Sequence, residues 1–232
     1  MKYILFDLDG TLTESGIGIK RCVQYALEHF NINENNDDKL RLFIGPPLFD
    51  SFTKRYGLTE EQANKAIELY RVRYREKGIF ENRLYEGIKT LLEKLKEEGY
   101  ILAVASSKPE VFVKKILTYF EIDKYFTAIA GASLDGKLSA KKDVILKALE
   151  QLNATDKKDQ CIMIGDREHD VKGAISNSIL CIGCLWGYGS ENELKEAGCS
   201  ILVNKAEMIL STLKNIQYKQ KQHHEHGEPD HR

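Results

Sequence analysis

The feature that most constrains this chain is an alternation running from about residue 81 to residue 216, in which short apolar runs are separated by amphipathic stretches of helical length. The apolar runs predict strands at 100–105, 126–130, 160–164, 180–185 and 200–203. Helices are predicted at 87–98, 110–119, 141–152, 170–176, 191–197 and 206–216. A strand that is apolar throughout has to be covered on both faces. Repeated strand–helix units of this kind predict an α/β fold, a Rossmann-like parallel sheet with helices on both sides and right-handed crossovers.

One more strand is predicted at 3–6, ahead of a long stretch with only helical signals. Residues 16–30 place Ile19, Val23, Ala26, Leu27 and Phe30 on one side, and residues 60–77 place Ala63, Ala66, Ile67, Tyr70 and Tyr74 on one stripe. Gly45-Pro46-Pro47 interrupts this block, and 31–38 is a polar break. The predicted organisation is a core made of residues 1–15 and 81–216, with an inserted α-helical cap of about 60 residues at 16–80. From residue 217 to 232 periodicity is lost, which predicts a disordered, histidine-containing tail.

Of the 232 residues, 42% are hydrophobic, enough to fill a core, and a net charge of -1 gives no basic field to recruit a nucleic acid polymer. No apolar run approaches the roughly 20 residues of a membrane helix. Residues 1–6 are too short and turn acidic too soon for a signal peptide, so the expectation is a soluble cytoplasmic protein. The odd cysteine count of five fits reduced thiols. Cys181 and Cys184 match C-x-x-C but fall in a predicted strand, where residues three apart point to opposite faces and do not suit a shared metal.

Four strand ends carry polar groups that suit one site. Asp7 and Asp9 leave the first strand one residue apart, with Gly10 and Thr11 after them, where open α/β sheets bind ligands. Ser106 and Ser107 follow the 100–105 strand; a hydroxyl there can donate to a phosphate oxygen or cap the next helix. Lys141, with Lys142 beside it, opens a helix against the helix dipole, which is tolerable if the amine reaches an anion. Asp166 and Asp170 follow the 160–164 strand, and their spacing of four places them on neighbouring turns of a helix that begins there. Clustered carboxylates suit a hard cation such as magnesium. Each feature alone has an ordinary explanation as turn, cap or surface charge; the four together do not.

The ordered set Asp7/Asp9, Ser106, Lys141 and Asp166/Asp170 resembles the haloacid dehalogenase-like hydrolases over residues 2–216. Phe43 to Leu48 and Gly187 to Ser190 resemble the phosphoglycolate phosphatase and 5'-nucleotidase-like branch, although Lys141-Lys142 stands where that branch usually has Lys-Pro. The resemblance implies that Asp7 is a nucleophile forming an aspartyl phosphate and that Asp9 is the acid and base. It implies Mg2+ held by Asp7, the Asp9 carbonyl and Asp166 with support from Asp170. Ser106, Ser107, Lys141, Gly10 and Thr11 are the expected substrate contacts, with Lys141 preferred over Lys142. The cap would close over the site and select the substrate, and Lys20, Arg41, Lys54 and Arg55 are its cationic candidates. Aromatic groups such as Phe52 and Tyr56 would favour a nucleotide instead.

The expected partner is a small phosphorylated metabolite or nucleotide, with no membrane, acting on a monomer or homodimer. A receiver-like signalling domain would be about half as long and would need no helical block. A silent phosphate-binding protein would not need Asp9, and a phosphosugar mutase would return the phosphate to bound sugar.

Overall fold

The structure is a computed structural model and describes residues 1–225. The chain opens with β1 (Tyr3–Phe6) and β2 (Thr13–Glu14), followed by α1 (Gly16–Glu28), α2 (Asp37–Arg41), α3 (Leu48–Tyr56) and α4 (Glu60–Glu76). It returns through β3 (Arg83–Leu84) and α5 (Ile88–Glu97) to β4 (Ile101–Pro109), α6 (Glu110–Tyr119), β5 (Phe126–Ala132) and α7 (Lys141–Gln151). It ends with β6 (Cys161–Gly165), α8 (Glu168–Ser176), β7 (Leu180–Cys184), α9 (Glu191–Glu196), β8 (Ile201–Val203) and α10 (Met208–Glu225).

Six strands form one sheet in the order β5-β4-β1-β6-β7-β8, and every neighbouring pair is parallel. β1 is central, with Phe6 in register with Val104 on one side and Ile164 on the other. The ends of β1, β4 and β6 therefore open side by side on one edge, where the connectivity switches direction. Strand alternation sends Ile4 and Phe6 to one face and Tyr3 and Leu5 to the other, and the two faces are packed as separate apolar cores. Cys181 belongs to one of these cores and Cys184 to the other, as their spacing in a strand requires. All five cysteines are buried and free.

The helical insert begins and ends at one place. β2 and β3 pair antiparallel, Thr13 with Leu84 and Glu14 with Arg83, and the Glu14–Arg83 ion pair lies across them. This two-stranded strap was not legible in the sequence, because two residues are too few for a period. Within the insert, α4 starts on a capping box in which Thr59 and Gln62 exchange hydrogen bonds, and α3 stops at Gly57 in the left-handed region, φ 64°.

Two expectations change. β4 runs on through Ser106, Ser107 and Lys108 to Pro109 rather than ending at 105. The last helix continues past Ile216 to Glu225, so 217–225 are helical where a disordered tail was expected; residues 226–232 lie outside the described residues. Among the described residues no helix is long and apolar enough to cross a membrane.

Candidate active site

The loop after β1 is wound on one carbonyl: the N–H groups of Thr11, Leu12 and Thr13 all donate to Leu8 O. This turn holds Asp7 and Asp9, both buried, at the mouth of β1. Gly10 takes φ +90°, and a Cβ there would lie 2.2 Å from Asp166 Oδ2. A glycine is required on both counts.

Lys141 starts α7 and reaches back under the sheet edge. Its Nζ donates to Asp7 Oδ1 at 2.6 Å and to Ala105 O at 3.1 Å, and lies 2.8 Å from Asp170 Oδ1. Lys142 is exposed, so of the two lysines Lys141 is the one at the site. The dipole mismatch predicted for it is resolved by these carboxylates. Burial alone would lower the Lys141 ammonium, but Asp170 and Asp7 overcome it and hold the group well above its usual range.

Asp166 and Asp170 converge by a different route from the one their spacing suggested. α8 begins at Glu168, so Asp166 precedes it. Asp170 Oδ2 accepts the N–H groups of Asp166 and Arg167, each at 3.1 Å, and this cap folds Asp166 back toward it. Asp166 is fixed at both oxygens, by the Thr11 hydroxyl at 3.1 Å and by the Tyr188 N–H at 2.7 Å. Gly187 and Gly189 let that loop lie on Asp166; a Cβ at Gly189 would fall 2.0 Å from the Asp166 carbonyl oxygen.

Two of the expected substrate contacts are engaged with the protein's own groups. Thr11 is fully buried with its hydroxyl on Asp166 and its N–H on Leu8, and the Gly10 N–H donates to Thr13 O at 2.8 Å. Neither lines the cavity described below, whereas Ser106, Ser107 and Lys141 do. Ser106 caps no helix: its hydroxyl accepts the Lys108 N–H at 3.2 Å, and α6 begins after Pro109 without a side-chain cap.

Asp7, Asp166 and Asp170 can each point one carboxylate oxygen into a cluster whose members lie within 4.8 Å of one another. Burial, then the charge of Asp170, push Asp7 up to about 7 against the pull of Lys141. Burial, then Asp170 and Asp7, push Asp166 well above the usual carboxylate range. Buried carboxylates that resist ionisation together fit a divalent cation, which would supply the missing positive charge.

Above this edge lies a cavity of about 590 Å³ shared by the sheet edge and the helical insert, within the range of about 300–1,000 Å³ usual for small-ligand sites. Gly45, Pro46 and Pro47 line it, as the sequence suggested. The expected cations do not: Lys20 pairs with Asp37, Lys54 with Asp50, and Arg41 donates to the carbonyls of Gly187 and Tyr188. Arg55 is absent from the lining as well. Phe52 is buried against Phe43, and Tyr56 donates to Glu34. Phe43, Phe49, Tyr70, Tyr74 and Phe112 supply the aromatic wall instead, with Asn64 and Arg71 as its polar groups.

Sequence reasoning also missed Lys108, whose Nζ lies 2.8 Å from Asp9 Oδ2. The signal would have been a strand read on past 105, in which Ser106 and Lys108, two apart, share a face.

The sequence matches the family described as Haloacid dehalogenase-like hydrolase over residues 4–184. It is 46% identical over 192 residues to a 5'-nucleotidase of Pseudomonas aeruginosa, covering 83% of this chain and 86% of that one. It is 38% identical over 203 residues to Tyrosine-protein kinase PtkA of Mycobacterium tuberculosis, covering 88% of this chain and 68% of that one. The crystal structure of a predicted phosphatase from Clostridium acetobutylicum superposes with a TM-score of 0.87 at 49% identity, covering 94% of this chain and 98% of that one. With a family match across most of its length and the carboxylate set at the ends of β1 and β6, this chain belongs to the haloacid dehalogenase-like hydrolases.

Proposed function

We propose that this protein is a Mg2+-dependent phosphoric monoester hydrolase that works through an aspartyl phosphate at Asp7, and that nucleoside monophosphates are its preferred substrates. The observation that carries the reaction is the pairing of Asp7 and Asp9 at the end of the central strand, with Lys141 Nζ 2.6 Å from Asp7 Oδ1. Asp7, Asp166 and Asp170 would hold the cation together with the Asp9 carbonyl. A cation there would offset the repulsion between the Asp7 carboxylate and a phosphate dianion.

Asp7 attacks phosphorus while Asp9 gives a proton to the leaving oxygen. Asp9 then takes a proton from the water that cleaves the aspartyl phosphate, which restores both side chains. Lys141 and Ser106 hold phosphate oxygens as charge shifts during transfer. The helical insert acts as the cap, keeping bulk water from the site and presenting its aromatic wall to the leaving group.

That wall favours a nucleoside over a small acid. An aromatic base can lie against Phe43, Phe49 or Tyr70, with Asn64 to hydrogen-bond its edge. None of the cations named from the sequence for a second acidic group lines the cavity, and the two arginines that do are already engaged, Arg71 with the Leu134 carbonyl and Arg167 with Glu193 and the Ile44 carbonyl. The test is release of free phosphate, with Mg2+, from a panel of nucleoside monophosphates, phosphoglycolate, sugar phosphates and a phosphotyrosine peptide. A nucleotide should give the highest kcat/KM. Phosphopeptide as best substrate would overturn the enclosed-pocket reading, and transfer to an acceptor without free phosphate would overturn hydrolysis.

A further inference from the structure

Lys108 is carried into the site by the last residues of β4, which continues through an irregularity after Ser106 to Pro109. Its side chain is 7% exposed and that of Asp9 10%, so the 2.8 Å ion pair between Lys108 Nζ and Asp9 Oδ2 is formed away from bulk water. The other face of the ammonium is covered by Tyr74, whose ring centroid lies 4.7 Å from Nζ. Tyr74 belongs to α4 of the helical insert and is itself fixed, stacked on Tyr70 at 5.5 Å and edge-on to Phe112 at 5.3 Å. The remaining oxygen, Asp9 Oδ1, is buried without a hydrogen-bond partner among the described residues.

We propose that Lys108 is the positioning residue for proton transfer by Asp9, and that Tyr74 makes this positioning depend on the helical insert lying over the site. The proposal rests on Asp9 being the acid and base of the reaction above. Lys108 holds Oδ2, which fixes the orientation of the Asp9 carboxyl at the cavity. As the proton passes from that carboxyl to the leaving oxygen and the P–O bond breaks, a negative charge develops on the Asp9 carboxylate. Lys108 already stands beside it, so no group has to reorganise. In the second half-reaction the same carboxylate removes a proton from water as the water oxygen bonds to phosphorus, and Asp9 is neutral again. Tyr74 shields the ammonium from solvent, which strengthens its hold on Asp9. An insert swung away from the site would hydrate Lys108 and loosen that hold.

The test compares two esters of the same phosphoryl group, each with Mg2+. Nitrophenolate departs without a proton, so p-nitrophenyl phosphate does not need the acid; a nucleoside 5'-monophosphate does. For both, kcat/KM covers the steps through departure of the leaving group. Lys108→Met should lower kcat/KM for the nucleotide at least about tenfold more than for the nitrophenyl ester, a difference of about 1.4 kcal/mol. Lys108→Arg should recover part of the loss. Tyr74→Leu should shift the ratio in the same direction by less, and it serves as the test if Lys108→Met does not fold. Equal losses on both esters, or none, in folded protein would overturn the proposal. Asp9→Asn is the control: without a selective loss on the nucleotide, the acid assignment itself fails, and the Lys108 role with it.

Discussion

Arg167 Nη1 donates to the carbonyl of Ile44 at 2.6 Å, so the residue next to Asp166 grips the loop of the helical insert that ends in Gly45-Pro46-Pro47. The same guanidinium is held by Glu193 through Nε at 2.7 Å. A charge-assisted hydrogen bond of this kind is worth roughly 1.5–3 kcal/mol. Arg167→Ala is therefore expected to raise KM about tenfold while kcat changes less, because the site edge loses its grip on the insert while Asp7 and Asp9 stay in place. Steady-state kinetics on one nucleotide checks this. A fall in kcat with KM unchanged would place Arg167 in the chemistry instead.

Asp7→Asn should abolish turnover, since an amide is a poor nucleophile and a weaker cation ligand. Asp9→Asn should keep substrate and Mg2+ binding and slow turnover by a factor on the order of 10²–10⁴, the usual worth of a positioned acid or base. Rapid-quench measurement of phosphorylated enzyme separates the two variants: none forms with Asp7→Asn, and any that forms with Asp9→Asn decays slowly.

Stability should respond to pH with a sign set by the carboxylate cluster. In the folded protein without a cation, burial and the charge of Asp170 push Asp7 up to about 7 from an ordinary value of 3.8. Across that window the folded state binds a proton that the unfolded chain has released, so stability falls as pH rises from about 4 to about 7. Thermal unfolding in chelator should show a midpoint dropping by several degrees from pH 5 to pH 8. Mg2+ should raise the midpoint more at pH 8 than at pH 5, because protons compete with it at the lower pH. Ca2+, with longer bonds and more ligands, should bind without supporting turnover. Full activity in chelator with metal content verified as nil would overturn the cation assignment.

Gly10→Ala combines a left-handed backbone, φ +90°, with a Cβ 2.2 Å from Asp166 Oδ2. The backbone conformation alone costs an L-residue roughly 1–2 kcal/mol, and relief of the contact has to move Asp166. The expected result is a lower melting temperature together with weaker Mg2+ binding, read by thermal unfolding and by calorimetric titration. Normal Mg2+ affinity in a destabilised variant would show that Asp166 does not move.

The sequence by itself determined the parallel α/β architecture and named Asp7, Asp9, Ser106, Lys141, Asp166 and Asp170. Apolar runs of strand length are local, and the end of a strand in a parallel sheet is where its next polar residue emerges, so position along the chain already implies position at the site. Tertiary structure decided what depends on distant segments meeting. It set Thr11 behind Asp166, fixed Asp166 to the Tyr188 N–H, and turned Phe43 and Tyr74 rather than Phe52 and Tyr56 toward the cavity. The amphipathic stripe of α4 predicts that Tyr70 and Tyr74 are buried, but not against what: burial is a property of one helix face, whereas lining a cavity depends on which surface packs opposite. Lys108 shows the same division: the sequence placed it just past a strand end, whereas the continuation of β4 to Pro109 and the meeting with Asp9, far away along the chain, were decided by the fold.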